Sequence, residues 1–288
     1  MTASMDEDAV RVVPDGARDV AILAAREAGA ILRGKLDQPR DIQFKGEIDL
    51  VTDADRAAEA VIVARVRRAF PGHRLIGEEG ARGDPGGASS PYGWVIDPLD
   101  GTTNYAHRYP HFAVSIGLER SGIPVLGVVY DPMRDELFVD EAGLGSTLNG
   151  TPIRVSAEAD LARALLATGF AYDPALRAEA EVVWAELLFR AQGVRRDGSA
   201  ALDLCWVAAG RLDGFYERPL QPWDMGAGAV IVTGAGGTIG RFDGSPFEPY
   251  GGEIIASNGH LHAALAAIVV RQGIAQGMAR GMDHSTRP

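Results

Sequence analysis

Six acids stand where elements of structure are expected to begin or end: Asp55, Glu78, Asp97, Asp100, Glu217 and Asp224. The densest chemistry lies in Trp94-Val95-Ile96-Asp97-Pro98-Leu99-Asp100-Gly101-Thr102-Thr103-Asn104. An apolar run ends on an acid, and a proline, a second acid and a glycine follow. This pattern predicts a buried strand ending at Asp97, a turn at Pro98 and a helix entered near Gly101 to Asn104. Such a turn gathers two carboxylates and the Leu99 carbonyl beside the open amides of a helix start. Carboxylates and carbonyls are the ligands Mg²⁺ takes, and open amides at a helix start favour phosphate. One short segment could therefore hold both a metal and a phosphate. Taken alone, D-x-x-D-G is more often the mark of acids in a turn. A calcium loop is disfavoured, because its acids alternate.

Each remaining acid also has a purely structural explanation. Asp55 follows Thr52 by three residues, the spacing of a capping box. Asp224 opens an apolar helix, where the helix dipole favours an acid. Glu78 and Glu79 are adjacent after a short apolar run, so at most one faces a given site. Glu217 ends the strand-like Gly214 to Glu217. What links them is placement at element termini, where sites are built. That shared placement supports a multi-carboxylate metal site better than any single acid does.

The elements that carry these acids are read from periodicity. Val20, Leu23, Ala24, Ala28, Ile31 and Leu32 have helical spacing and predict a helix over Ala17 to Leu36. Ile42 to Phe44 alternates like a strand, and Lys45 follows it. Asp49 to Asp55 opens a second helix running to Phe70, with Thr52 as N-cap and Asp53 a first-turn acid. Arg65, Arg67 and Arg68 suit the dipole at its far end. Leu75 to Gly77 is a short apolar run, and Gly80 to Pro91 reads as a loop. Strands follow at Phe112 to Leu118, Val125 to Tyr130 and Glu136 to Val139. Gly143 to Val155 reads as a hairpin around Asn149-Gly150. From Ala164 strand and helix alternate: Leu165 to Gly169, Leu176 to Gln192, a helix capped by Ser199 and running to Ala209, Gly214 to Glu217, then the helix Met225 to Val232. The Pro110 between His107 and His111 argues against the single helix that H-E-x-x-H requires, so these histidines read as structural or peripheral. The Gly226 to Gly237 series makes neither G-x-G-x-x-G nor a Walker loop, which excludes nucleotide folds of those kinds.

Composition narrows the function classes. With 288 residues and 46% apolar content the chain can build one large domain or two ordinary ones. Its 39 acids against 28 bases give a net charge of −11, which disfavours general binding to nucleic acid or anionic membrane. The single cysteine, Cys205, excludes an intrachain disulfide and a multi-cysteine zinc site, and its neighbours Leu204 and Trp206 mark it as core. No run approaches the length of a membrane helix, and Met1 to Asp8 lacks the basic start of a signal peptide. A cytoplasmic protein is expected, with loose ends over residues 1–15 and 277–288.

With these residues in view, the chain resembles the inositol monophosphatases of the Mg²⁺-dependent, lithium-sensitive sugar-phosphatase superfamily. The resemblance runs from about Ala17 to Ala267. It is carried by Gly77-Glu78-Glu79, by Asp97 to Asn104, by Trp223-Asp224 with Gly226-Ala227-Gly228-Ala229, and by Asp49 to Thr52 with Asp55. Gly198-Ser199-Ala200-Ala201 and Phe215-Tyr216-Glu217 look like the family's substrate segment. The resemblance implies a mixed α+β and α/β fold, a layered αβαβα sandwich. An N-terminal α+β half (1–150) would carry the metal motifs and a C-terminal α/β half (151–288) would complete the site. It implies two or three Mg²⁺ ions. Glu78, Asp97 and the Leu99 carbonyl would bind the first; Asp97, Asp100 and Asp224 the second; Glu78 would help hold a third. Thr102 and Asp55 would orient and deprotonate the attacking water. Gly101 and Thr102 amides would hold phosphate oxygens, and Glu217, Ala200 and Asp224 would meet the alcohol's hydroxyls, with Asp100 also beside the substrate. Lys45 and Ser199 are further candidates. The implied reaction is hydrolysis of myo-inositol monophosphate, a small phosphorylated polyol, by direct attack of water. Sister reactions are hydrolysis of histidinol phosphate, fructose 1,6-bisphosphate or adenosine 3′,5′-bisphosphate. A regulatory role on the transcription machinery is the different-class alternative. A homodimer is expected by the same resemblance. Departures fall on the alcohol side: Asp197 after Arg195-Arg196, the two prolines of Arg218-Pro219-Leu220-Gln221-Pro222, and a Lys45 displaced by one position.

Overall fold

The computed structural model describes residues 13–38, 42–44, 50–80, 82–83, 90–171 and 173–271. Lys45, Asp49 and nearly all of both ends expected to be loose lie outside the described residues.

Five layers stack through three cores. The first layer pairs α1 (Ala17–Lys35) with α2 (Asp53–Ala69). The buried face of α1 is mostly alanine (Ala17, Ala21, Ala24, Ala25, Ala28) with Leu32, all fully buried, so α1 sits close to its neighbours. The α2 stripe Ala54, Ala58, Ile62, Val66 has the i, i+4 spacing of one helix face. Arg65 near the end of α2 forms a salt bridge with Glu27 of α1. Ahead of α2, β1 (Ile42–Phe44) and β2 (Leu50–Thr52) form an antiparallel ribbon. Leu50 to Thr52 is thus a strand leading into the helix.

The second layer is an eight-stranded sheet. Its members are β3 (Arg74–Gly77), β4 (Arg82–Gly83), β5 (Tyr92–Asp100), β6 (Ala113–Arg120), β7 (Ile123–Asp131), β8 (Glu136–Glu141), β9 (Thr147–Leu148) and β10 (Thr151–Pro152). Their order is β10-β9-β8-β7-β6-β5-β3-β4, with only β3 and β5 parallel. Successive side chains alternate between its faces. Val114, Ile116 and Leu118 of β6 and Leu126, Val128 and Tyr130 of β7 join α1 and α2 in the first core. Ala113, Val129 and Phe138 join the second core on the other face. Asn149 (φ 49°) and Gly150 (φ 79°) turn the β9–β10 hairpin, as Asn-Gly predicts.

The third layer is α5 (Ala200–Ala208) and α6 (Pro222–Gly234), buried between two sheets and apolar nearly all round. Cys205 lies in this core, fully buried. A Cβ on Gly127 of β7 would lie 2.2 Å from the Ala227 carbonyl oxygen, so the α6 backbone rests directly on the sheet. A Cβ on Gly228 would lie 2.6 Å from Leu204, which lets α5 and α6 close on each other. The fourth layer is a five-stranded sheet, order β12-β11-β13-β15-β14. Here β11 (Leu165–Thr168) runs parallel to β12 (Gly193–Arg195) and β13 (Gly214–Glu217). β15 (Ile254–Ser257) runs antiparallel to β13 and to β14 (Thr238–Gly240). The last layer, α4 (Pro174–Arg190) and α7 (residues 262–271), closes the third core with Val183, Leu187, Leu265 and Ile268. The αβαβα order matches the expected sandwich.

One local expectation is corrected. The chain does not leave the sheet at Pro98. β5 continues to Asp100, with Asp97 opposite Ser115 and Asp100 opposite Ala113. Three steps on β5 face two on β6, which is a β-bulge. Pro98 has no N–H for the ladder, and the extra residue absorbs that missing bond.

Candidate active site

The bulge aims Asp97 and Asp100 at one cavity of about 500 Å³. Asp97 is 2% exposed and accepts the Leu99 amide at 2.9 Å, closing a tight side-chain turn within the bulge. Asp100 is held from the next layer. Ser199, the N-cap of α5, donates its hydroxyl to Asp100 Oδ2 at 2.6 Å, and the Ala201 amide donates to the same oxygen at 2.7 Å. Gly101 follows at φ 96°, where a side chain would be strained and its Cβ would press on the His111 and Gly198 carbonyls at 3.1 and 3.2 Å. It admits the short helix α3 (Thr102–Ala106).

Glu78 arrives from β3. Its amide donates to the Ile96 carbonyl at 3.2 Å, which sets it beside Asp97. Glu79 does not line the cavity, and its backbone amide bonds Glu59 Oε1 at 3.1 Å, so one of the two adjacent acids faces the cavity. Asp224 arrives at the start of α6. It accepts the Gln221 amide at 2.7 Å in a capping box, and still lines the cavity. Ser115 Oγ donates to the Trp223 carbonyl at 3.0 Å and ties this helix start to β6 beside Asp97.

Thr102 and Asp55 form a second constellation. Thr102 Oγ1 lies 3.0 Å from the Leu99 carbonyl and 3.4 Å from Asp55 Oδ1. Asp55 is fully buried and does not line the cavity; it stands behind Thr102. Ser199 likewise stands behind Asp100. Leu99, Gly101, Thr102, Ala200 and Glu217 all line the cavity.

Electrostatics mark the cavity as crowded with negative charge. Burial pushes Asp97 well above the usual carboxylate range, and Glu78, Asp100 and Asp224 push it further. Burial and then Asp100 do the same to Asp224, against the Gln221 amide. Asp100 rises to about 6 from burial, restrained by Ser199 and by the amides of Ala201 and Ala200. Burial raises Glu217 to about 8, opposed by Arg196.

Arg196 is a cavity residue that the sequence reading treated only as a landmark; its sole signal there was a cation just before a glycine-serine helix cap. Gly169 was read only as the end of a strand. A Cβ on it would lie 2.0 Å from Glu217 Oε1, so it makes the room Glu217 needs. Phe170 also lines the cavity, and no spacing signal pointed to it.

Four acids and a carbonyl that face one another around a cavity, with Asp97, Asp100 and Asp224 pushed toward protonation, are a donor set of hard oxygens lacking positive charge. The residues present fit divalent cations. Bound cations would release the carboxylates from mutual repulsion and present positive charge to an anionic ligand.

This fold and this carboxylate-lined cavity define a metal-dependent phosphatase class, and the comparisons agree. The description "Inositol monophosphatase family" matches residues 15–273. An inositol-1-monophosphatase of Synechocystis sp. is 50% identical over 248 residues, 85% of each chain. The Nus factor SuhB of Escherichia coli is 43% identical over 252 residues, covering 86% of this chain and 94% of that protein. The solved inositol monophosphatase of Anabaena (Nostoc) superposes with a TM-score of 0.77 at 45% identity, over 88% of this chain and 95% of that one. The chain belongs to the inositol monophosphatase family. No described helix is long and apolar enough to cross a membrane.

Proposed function

We propose that this protein hydrolyses myo-inositol monophosphate to inositol and phosphate with Mg²⁺ as its metal. The observation that carries the reading is the convergence of Glu78, Asp97, Asp100 and Asp224 on one cavity, with Thr102 on its wall and Asp55 behind Thr102. Glu78, Asp97 and the Leu99 carbonyl would hold one cation. Asp97, Asp100 and Asp224 would hold a second, and Glu78 would share in a third. Bound there, Mg²⁺ supplies positive charge for the phosphate dianion and makes a nearby water a better nucleophile.

The chain's own groups do the rest. Thr102 Oγ1 accepts a proton from the attacking water while passing its own to Asp55, which its geometry permits once the hydroxyl turns from Leu99. Glu78 fixes that water from the other side. The Gly101 and Thr102 amides orient phosphate oxygens. Water attacks phosphorus directly, the ester bond breaks, and the alcohol oxygen leaves; no side chain becomes phosphorylated. Glu217, Asp224 and the Ala200 amide meet ring hydroxyls, and Asp100 sits between metal and substrate sides. Arg196 adds the cation that keeps Glu217 from being wholly repelled by its neighbours. Lithium sensitivity, a homodimer, a cytoplasmic site of action and the division at about residue 150 are parts of the same proposal.

The deciding assay is phosphate release from myo-inositol 1-phosphate with and without Mg²⁺. Histidinol phosphate, fructose 1,6-bisphosphate and adenosine 3′,5′-bisphosphate run beside it. Mg²⁺-dependent release from the inositol ester alone supports the proposal; preference for another ester moves the substrate and keeps the chemistry. The similarity to a Nus factor favours a second reading, a role on the transcription machinery. Absence of release from every ester makes that the primary one.

A further inference from the structure

His111, Asp197 and Asp203 bring a ring nitrogen and two carboxylate oxygens within 4.8 Å of one another. They come from separate places. His111 precedes β6, Asp197 lies in the loop before α5, and Asp203 is in the first turn of α5. None of them belongs to the carboxylate cavity described above. His111 is 3% exposed and Asp203 1% exposed, yet His111 Nε2 and Asp203 Oδ1 have no hydrogen-bond partner among the described residues. Buried polar atoms left unsatisfied are costly, and a shared cation would satisfy both at once.

We propose that His111, Asp197 and Asp203 form a separate binding site for one transition-metal ion of the Zn²⁺ type. Imidazole with carboxylates suits Zn²⁺ better than Mg²⁺, which takes oxygen alone. Ligands at Zn²⁺ distances stand roughly 3.3 Å apart in a tetrahedron, so small side-chain shifts close the present spacing. Asp197 is only partly buried and leaves the fourth position to solvent.

The backbones that carry these ligands are already braced. Asn104 Nδ2 donates to the His111 carbonyl at 2.8 Å and to the Asp197 carbonyl at 2.7 Å. The Trp206 ring meets His111 edge-on at 5.1 Å and limits its rotation. Arg134 and Arg196 are the cations facing the cluster, against Asp131, Asp100 and Glu217. The surrounding field thus admits a further positive charge. Burial lowers the His111 pKa and keeps the imidazole neutral, as a ligand must be. Two residues after Asp197, Ser199 holds Asp100, so an ion here would fasten the segment that holds one wall of the cavity.

The test uses the full chain, stripped with chelator and returned to excess Mg²⁺. Zn²⁺ uptake is followed by equilibrium dialysis. One Zn²⁺ should bind in the wild type and in Asp97→Asn, and binding should weaken about tenfold or more in His111→Gln and in Asp203→Asn. Undiminished binding in those two variants overturns the proposal, as does uptake that disappears only in Asp97→Asn. Should both variants fail to fold, Co²⁺ added to the wild type decides. Shifts of the His111 ring resonances that persist in Asp97→Asn with excess Mg²⁺ support the site, and unshifted resonances overturn it. The result is independent of phosphatase activity, so it stands apart from the proposal on substrate.

Discussion

Ser199 Oγ and Asp100 Oδ2 lie 2.6 Å apart, and this bond joins the cap of a middle-layer helix to the bulge of the eight-stranded sheet. The same hydroxyl accepts the Leu202 amide at 3.4 Å. One oxygen therefore starts a helix and fixes an acid of the cavity. Ser199→Ala removes both bonds. It should cost about 2 kcal/mol, read as a fall of roughly 4–8 °C in melting temperature for a chain of this size. Turnover should fall as well, because Asp100 loses its anchor. An unchanged melting temperature would show that the cap contributes nothing.

In the proposed function Thr102 relays a proton to Asp55, and two substitutions, one keeping its shape and one its hydroxyl, separate relay from packing. Thr102→Val keeps the shape and removes the hydroxyl; kcat should drop about a hundredfold or more. Thr102→Ser keeps the hydroxyl and should restore most of the loss. Steady-state kinetics on the preferred ester reads both, and equal activity in the two variants would sink the relay.

Gly169 has no side chain because Glu217 occupies that space. Gly169→Ala places a Cβ where the carboxylate sits, 2.0 Å from Oε1, and must displace it. KM for a polyol phosphate should rise several-fold, up to about tenfold, as expected when one hydrogen bond is lost. An aryl phosphate without ring hydroxyls should be little affected. A parallel loss on both substrates would assign Gly169 to general packing.

Asp140 supplies a pH dependence away from the cavity. It is 1% exposed, and neither oxygen has a well-formed hydrogen bond among the described residues: Ser146 spends its hydroxyl on the Ile231 carbonyl at 2.6 Å, and Ser146 and the Glu141 amide restrain the carboxyl only in part. Burial, the dominant cause, raises its carboxyl to about 6. The folded chain therefore keeps this proton at pH values where the unfolded chain has released it. That stabilisation is complete below about pH 4 and is lost as pH rises through 6. Asp140→Asn needs no proton. It should gain on the order of 2–3 kcal/mol relative to wild type between pH 4 and 7, measured by urea denaturation at each pH. Parallel stability curves for the two proteins would contradict this.

The acids are legible in the sequence because cation chemistry allows few residue types, and because each sits at an element boundary that periodicity marks. Apolar alternation likewise gave β6 to β8, and Asn149-Gly150 gave the hairpin. The bulge at Pro98 was not legible, because its register depends on Ser115 and Ala113 across the ladder. Gly169 and Arg196 were missed for a related reason. Their meaning comes from Glu217, 48 and 21 residues away in sequence, and no local pattern records a neighbour brought in by a parallel strand. Thr102 and Asp55, 47 positions apart, were paired only through the family resemblance, because no local pattern links them.

The contact between Gly127 and the Ala227 carbonyl leaves no clearance between helix and sheet. Main chain against main chain, it acts as a mechanical stop. The reach from the start of α6 to the sheet is then gauged by covalent geometry, which side-chain replacement cannot alter. Residues on the rim of the cavity can change freely while that gauge holds, so new alcohols can be accommodated with Asp224 and Asp97 kept in register. A side chain at Gly127 would act in the opposite sense, lifting the helix and spoiling the register with every rim residue intact.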